Sequence, residues 1–251
     1  MVSCVCQNDD CLLCEAHLYS GLSPEHVCDI RGKIAKNYYD EGDIIFQQGQ
    51  EGDYLHIVRE GMVKLSLSDA DGNEQIVGLC LAGHVVGFDV LGDSKHTYTA
   101  EALTPVMTCT IRQPDMTKVF AENPIVAQKT IRMLNQELAF AQNLIHMLGQ
   151  KSSEEKVALF ILSLIPRITQ TQLPIKLLLP LSRKEMAQFL GLTVETVSRL
   201  ISDFKRRGII ETPRGELHIL NIKPLKQIAG IDSVSVTDGL KSMVLNQQAA
   251  I

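Results

Sequence analysis

Residues 181–208 read LSRKEMAQFLGLTVETVSRLISDFKRRG, and their spacing predicts two helices joined by a tight turn. The first runs from Ser182 to Leu190, with Met186, Phe189 and Leu190 on one apolar side. Gly191 stands where the chain must turn, and Ala187 is small enough for a second helix to cross closely. Thr193 suits the N-cap of that second helix. Val194, Val197, Leu200, Ile201 and Phe204 form its apolar stripe. Glu195, Ser198, Arg199 and Ser202 take the opposite face. Such groups can reach base edges: Arg pairs bidentately with guanine, a carboxylate accepts from the cytosine amino group, and Ser serves either partner. Ile209, Ile210 and Leu217–Leu220, broken by Pro213-Arg214-Gly215, predict a β-hairpin wing. The stretch therefore reads as a winged helix-turn-helix that lays its second helix in the major groove of DNA.

The charge supports a polyanionic partner locally rather than globally. The 251-residue chain carries a net charge of −5. Around the helix pair, however, Arg183, Lys184, Arg199, Lys205, Arg206, Arg207 and Arg214 stand against Glu185, Glu195, Asp203 and Glu211, seven bases to four acids. Thr193, Glu195, Ser198, Arg199, Arg183 and Lys205 are the candidate DNA contacts. No apolar run approaches membrane-spanning length and the N-terminus lacks a secretory pattern, so a soluble, cytoplasmic protein without a membrane partner is expected. No general acid–base pair or nucleophile–base arrangement can be assembled, so an enzyme is not expected.

A long helix is expected from Pro124 to about Leu148. On it Ala127, Ile131, Leu134, Leu138, Ala141, Ile145 and Leu148 recur at alternating spacings of four and three, a heptad seam for pairing with a twin helix. Its strict seven-residue period argues against simple burial on the chain's own body. Gly149 is expected to end it, and Ser153 to cap the next helix, with Val157, Leu159, Phe160 and Leu164 inward. Before it, residues 38–112 alternate in short segments punctuated by glycines. Strands are predicted at 43–47, 54–59, 61–68, 75–81, 84–88, 97–103 and 106–112, an antiparallel roll. Asp71-Gly72 closes one hairpin. A helix is expected over 22–36, and 232–251 reads as a tail without a clear partner. His84 and His96 are scattered, in surface or core positions, and Cys80 is a core thiol.

Four of seven cysteines, Cys4, Cys6, Cys11 and Cys14, crowd the first fourteen residues. In a cytosolic protein such crowding points to metal or redox chemistry rather than structural disulfides. A flexible thiolate loop of this kind can wrap a soft metal or an iron–sulfur cluster.

The whole is an α+β chain: a Cys-rich loop (1–18), a jelly-roll β-roll (19–122), a dimerisation helix (123–150), a winged helix-turn-helix (151–230) and a tail (231–251). This order of parts resembles the cyclic-AMP receptor protein superfamily of transcription regulators over about 18–230. It is more similar to its fumarate–nitrate reduction regulator (FNR) branch, through LGLTVETVSRL at 190–200, LAGHVVGFDVLG at 81–92 and MTCTI at 107–111. The resemblance implies a homodimer that senses oxygen, or nitric oxide or redox state, through a [4Fe–4S] cluster. Three N-terminal cysteines and Cys109 would hold the cluster. Glu195, Ser198 and Arg199 would read TTGAT-like palindromes, and the hairpin near Gly72 would touch RNA polymerase. Four cysteines compete for three places; Cys6, Cys11 and Cys14 are favoured, with Cys4 the alternate. Two departures stand out. The close pair Cys11–Cys14 comes last in the run rather than first, and the seam holds no acidic residue, so dimers are expected to persist without the cluster. By strand alternation alone Cys109 reads as core. The alternatives are a thiol redox switch or zinc-stabilised protein using the same cysteines, or a small-molecule effector in the roll. Cyclic AMP is disfavoured among effectors, because residues 87–103 offer no Arg for a phosphate.

Overall fold

The computed structural model describes residues 33–92, 94–165, 173–179 and 181–230. The cysteines at 4–14, most of the helix expected at 22–36 and the tail from 232 lie outside the described residues.

Eight strands come first: β1 (Ile34–Tyr39), β2 (Ile44–Phe46), β3 (Tyr54–Glu60), β4 (Val63–Ser68), β5 (Glu74–Cys80), β6 (Val85–Val86), β7 (Thr99–Ala102) and β8 (Val106–Arg112). They form two four-stranded sheets, ordered β1-β8-β3-β6 and β2-β7-β4-β5. This is the expected roll, with two corrections. The helix expected through residue 36 does not reach it: Ile34, Ala35 and Lys36 belong to β1, which pairs antiparallel with β8 from Ile34↔Ile111 to Tyr39↔Val106. A full backbone ladder against β8 outweighs the local helical pattern there. The strand expected at 84–88 shrinks to Val85–Val86, because Gly87 takes a left-handed φ of 85° and the chain enters a short 3-10 turn, Phe88–Leu91.

Helices α1 (Gln113–Glu122) and α2 (Pro124–Gln150) follow. One buried cluster joins them to the β1-β8-β3-β6 sheet: Leu55 and Ile57 from β3, Cys109 and Ile111 from β8, Met116 and Val119 from α1, and Val126 from α2. Helix α2 continues through Gly149, beyond its expected end. Next comes α3 (Ser153–Ser163), whose cap is Ser152 rather than Ser153. Glu155 sits three residues after Ser152, so the two close a reciprocal box: Glu155 N–H donates to Ser152 Oγ at 3.3 Å, and Ser152 N–H to Glu155 Oε2 at 2.9 Å.

The C-terminal region holds β9 (Ile175–Leu178), α4 (Arg183–Leu190), α5 (Val194–Arg206), β10 (Ile210–Glu211), β11 (Glu216–Ile219) and α6 (Ile222–Ile228). The wing is a three-stranded sheet, β10-β11-β9, one strand larger than the expected hairpin. The added strand and α6 were not apparent in the sequence. Helix α3 is buried on nearly all sides, and its Phe160 ring lies 5.7 Å from that of Phe189 on α4. The described residues divide into two compact units, one of 33–63 with 80–136, the other of 64–79 with 137–230. The β4–β5 hairpin thus groups with the C-terminal helices.

Candidate nucleic-acid interface

Helix α4 starts with a second capping box. Ser182 N–H donates to Glu185 Oε2 at 2.8 Å, and Glu185 N–H returns a bond to Ser182 Oγ at 3.2 Å. It ends at Gly191, whose left-handed backbone (φ 59°) lets Leu192 N–H reach the carbonyl of Ala187 at 3.0 Å. Thr193 caps α5, accepting from Thr196 N–H at 3.2 Å. Met186, Ala187, Phe189 and Leu190 from α4, with Val197, Leu200, Ile201 and Phe204 from α5, are all buried. Val194, expected in that stripe, is exposed instead. At the first helical position it precedes the turn where the stripe begins.

Packing that stripe inward leaves Glu195, Ser198, Arg199 and Ser202 together at i, i+3, i+4 and i+7 on one face. Glu195, Arg199 and Ser202 are exposed and Ser198 is half-buried. Glu195 lies in the first turn, where the helix dipole favours an anion; Lys205 and Arg206 lie in the last, where it favours cations.

The basic residues divide into two kinds. Arg199 and Lys205 are exposed. Arg207 is engaged within the protein: its Nη1 donates to Glu154 Oε1 at 2.7 Å and to Asp203 Oδ2 at 3.2 Å, tying the end of α5 to α3. These bonds raise its pKa above the ordinary guanidinium value. Arg183 is half-buried, its Nη1 3.2 Å from Met186 Sδ.

The dimer-seam candidates lie on α2. Ile131, Leu134, Leu138 and Ile145 are exposed, Ile145 at 71%. Ala141 is exposed and Leu148 half-buried. A second stripe, Val126, Thr130, Leu144 and Met147, is buried. Seam and buried stripe are therefore separate faces of one helix.

Cys109 is 3% exposed, inside the apolar cluster of β3, β8, α1 and α2. Strand pairing sets it opposite Lys36 on β1 and Ile57 on β3. Cys80 is buried too. Among the described residues no group of three or more His, Cys, Asp or Glu side chains could hold a metal. Gly72 is exposed at the tip of the β4–β5 hairpin with φ 80°. Asp69 organises this turn, its Oδ1 accepting from the N–H groups of Asp71 and Asn73 at 3.0 and 2.9 Å.

Two groupings were not apparent in the sequence. His56, His84 and His96 are all buried in the roll. Lys64, which lies within the strand expected at 61–68, is 6% exposed.

Residues 36–123 match the cyclic nucleotide-binding domain family, and 155–228 match the Crp-like helix-turn-helix domain family. The fumarate and nitrate reduction regulatory protein of Escherichia coli (strain K12) is 32% identical over 230 residues, covering 90% of this chain and 92% of that protein. The transcriptional regulatory protein btr of Bordetella pertussis is 33% identical over 195 residues, covering 77% of this chain and 81% of that one. Among solved structures, FixK2 from Bradyrhizobium japonicum superposes with a TM-score of 0.71 at 26% identity, covering 80% of this chain and 99% of that chain. With its roll, long helix and winged helix-turn-helix, the chain belongs to the cyclic-AMP receptor protein superfamily of DNA-binding transcription regulators, in the fumarate–nitrate reduction (FNR) branch.

Proposed function

We propose that this regulator is a cytoplasmic homodimer that reads a TTGAT-like palindrome and is switched by oxygen through a [4Fe–4S] cluster. Glu195, Ser198 and Arg199 contact base edges; Thr193, Arg183 and Lys205 contact the flanking backbone. Ile131, Leu134, Leu138, Ala141, Ile145 and Leu148 form the dimer seam. Each large seam side chain gains roughly 1.5–3 kcal/mol on full burial. The hairpin tip at Gly72 meets RNA polymerase.

Cys6, Cys11, Cys14 and Cys109, with Cys4 as the alternate, hold the cluster. The donor chemistry fits, since thiolates are the ordinary ligands of iron–sulfur clusters. When bound, the cluster supplies an oxygen-labile link between the N-terminal loop and β8.

The observation that carries the sensing reading is the shared burial of Cys109 and Val126. A displacement of β8 at Cys109 is transmitted by direct packing to α1 and to the start of α2. Helix α2 carries the seam and leads on to α3, so a small rotation there re-aims the two recognition helices. Their spacing must match a turn of DNA for both half-sites to be engaged.

The test is the visible spectrum, with iron and sulfide content, of protein purified without oxygen and then exposed to air. A brown absorption that bleaches, with about four irons and four sulfides per chain, and its loss in Cys109→Ser, are expected. A colourless, iron-free protein after reconstitution overturns the cluster reading and leaves a regulator controlled by thiols or by a ligand.

A further inference from the structure

Lys64 on β4 is buried, and its Nζ lies 3.3 Å from Glu185 Oε1 on α4 and 3.9 Å from Glu74 Oε1 on β5. Residues 64 and 185 are 121 positions apart in sequence. Two amide contacts flank this charge group. Gln188 Nε2 donates to Glu74 Oε2 at 3.1 Å, and Gln75 Nε2 donates to the backbone carbonyl of Gln188. Both residues of the α4 side, Glu185 and Gln188, are one turn apart on one face of the helix. Glu185 is also the carboxylate of the α4 capping box.

A buried ammonium is tolerated only with close counter-charges, and removing one partner leaves an uncompensated charge. The hairpin therefore meets α4 in one defined way. It does so without touching the reading face, since Glu195, Arg199 and Ser202 on α5 stay exposed. A contact that grips the first helix and spares the second positions rather than occludes.

We infer that the β4–β5 hairpin is a clamp that fixes the pose of the helix-turn-helix through Lys64, Glu74, Glu185 and Gln188. Lys64 is a positioning residue for DNA recognition. This rests on the DNA-binding reading above and adds to it the element that holds the two reading helices of a dimer at a fixed spacing. A single half-site asks only for one correctly folded helix pair; a palindrome asks for two at the right separation. Losing the clamp therefore weakens the palindrome and spares the half-site.

The experiment uses the full-length protein carrying Lys64→Met, which keeps an unbranched apolar stem, or Gln75→Ala, which removes the amide that donates to the Gln188 and Ile76 carbonyls and leaves the charges in place. Amide hydrogen exchange is followed without DNA. Faster exchange is expected in 64–80 and 183–190 together, with 106–112 unchanged. Binding is then compared on a duplex with a TTGAT-like palindrome and on one with a single half-site. At least a tenfold loss is expected on the palindrome for Lys64→Met, a smaller loss for Gln75→Ala, and no change on the half-site. Lys64→Met combined with Glu185→Gln should be no weaker than Lys64→Met alone. Unchanged exchange in both variants overturns the clamp, as does an equal loss on both duplexes. If the unsubstituted protein binds neither duplex, the DNA assignment fails instead, and hydrogen exchange still judges the clamp.

Discussion

The imidazole of His96 stacks on the ring of Phe46, with centroids 3.7 Å apart and planes 14° from parallel. The same phenyl ring lies 5.6 Å from His56. His96 Nδ1 is 3.1 Å from Asp89 Oδ1, and Asp89 Oδ2 accepts from Thr97 N–H at 2.6 Å. His84 Nδ1 accepts from Leu81 N–H at 3.0 Å, whereas its Nε2 and Nδ1 of His56 are buried with no hydrogen-bond partner among the described residues. Burial lowers the pKa of both His56 and His84 from 6.5 to about 4, and His96 adds to the effect at His56.

An acid-labile roll follows. The unfolded chain takes up these protons more readily than the folded one, so stability is complete above pH 6.5 and declines as pH falls toward 4. The loss is at most roughly 3 kcal/mol per imidazole. Urea midpoints measured from pH 7 down to 4.5 should fall, and the double variant His56→Gln/His84→Gln should show a shallower slope. A slope unchanged by the double variant would place the acid sensitivity elsewhere.

Glu137 predicts the opposite pH dependence. It is half-buried on α2, and desolvation raises its pKa from 4.5 to about 7. The folded state holds this proton more tightly than the unfolded state, so ionisation weakens the fold as pH rises from 4.5 through 7. Glu137→Gln should raise the Tm at pH 8.5 and leave it nearly unchanged at pH 5. Equal shifts at both pH values would mean that charge is not the cause.

Arg199 and Lys205 should fail differently. Arg199→Ala is expected to cost roughly 1–3 kcal/mol on the palindrome and to relax discrimination at one base pair. Lys205→Ala should weaken matched and mismatched duplexes alike and reduce the salt slope by about one. Titrations against a panel of single-base variants, at two salt concentrations, separate these patterns. Arg199→Ala binding as tightly as the unsubstituted protein would remove Arg199 from the reading face.

The seam prediction uses its most exposed member. Ile145→Asp places two carboxylates against each other in a paired helix, so the protein should run as a monomer in light scattering and lose palindrome binding. The same change at Gln142, an exposed position off the seam, should leave the dimer intact. A dimer that persists in Ile145→Asp would move the interface to another surface.

The helix-turn-helix was legible in the sequence because its determinants are local. Ser182 and Glu185 close a box three residues apart, Gly191 supplies the left-handed turn, and the α5 stripe repeats within thirteen residues. The strands of the roll were legible for the same reason. What escaped depends on distant partners. Ile34 to Lys36 look helical until β8 offers its edge more than seventy residues later. Residues 175–178 become a strand only because β11 pairs with them from Ile175↔Ile219 to Leu178↔Glu216. The burial of Lys64 also escaped, because its counter-charge Glu185 lies 121 positions away in sequence. The grouping of His84 and His96, read as surface or core, with buried His56 escaped because period-two alternation reports which face a residue takes, not what crowds that face from other strands.

Helix α2 presents its exposed seam and its buried stripe roughly a quarter turn apart, at ~100° per residue. It is thus a shared axle. If the seam pairs as proposed, any twist that seats Leu134 more deeply against a partner must drag Val126 and Thr130 across the surfaces they rest on. The two halves of a dimer would therefore not adjust independently of their own interiors, and mechanical play at the subunit boundary is set by how tightly each chain grips its own helix.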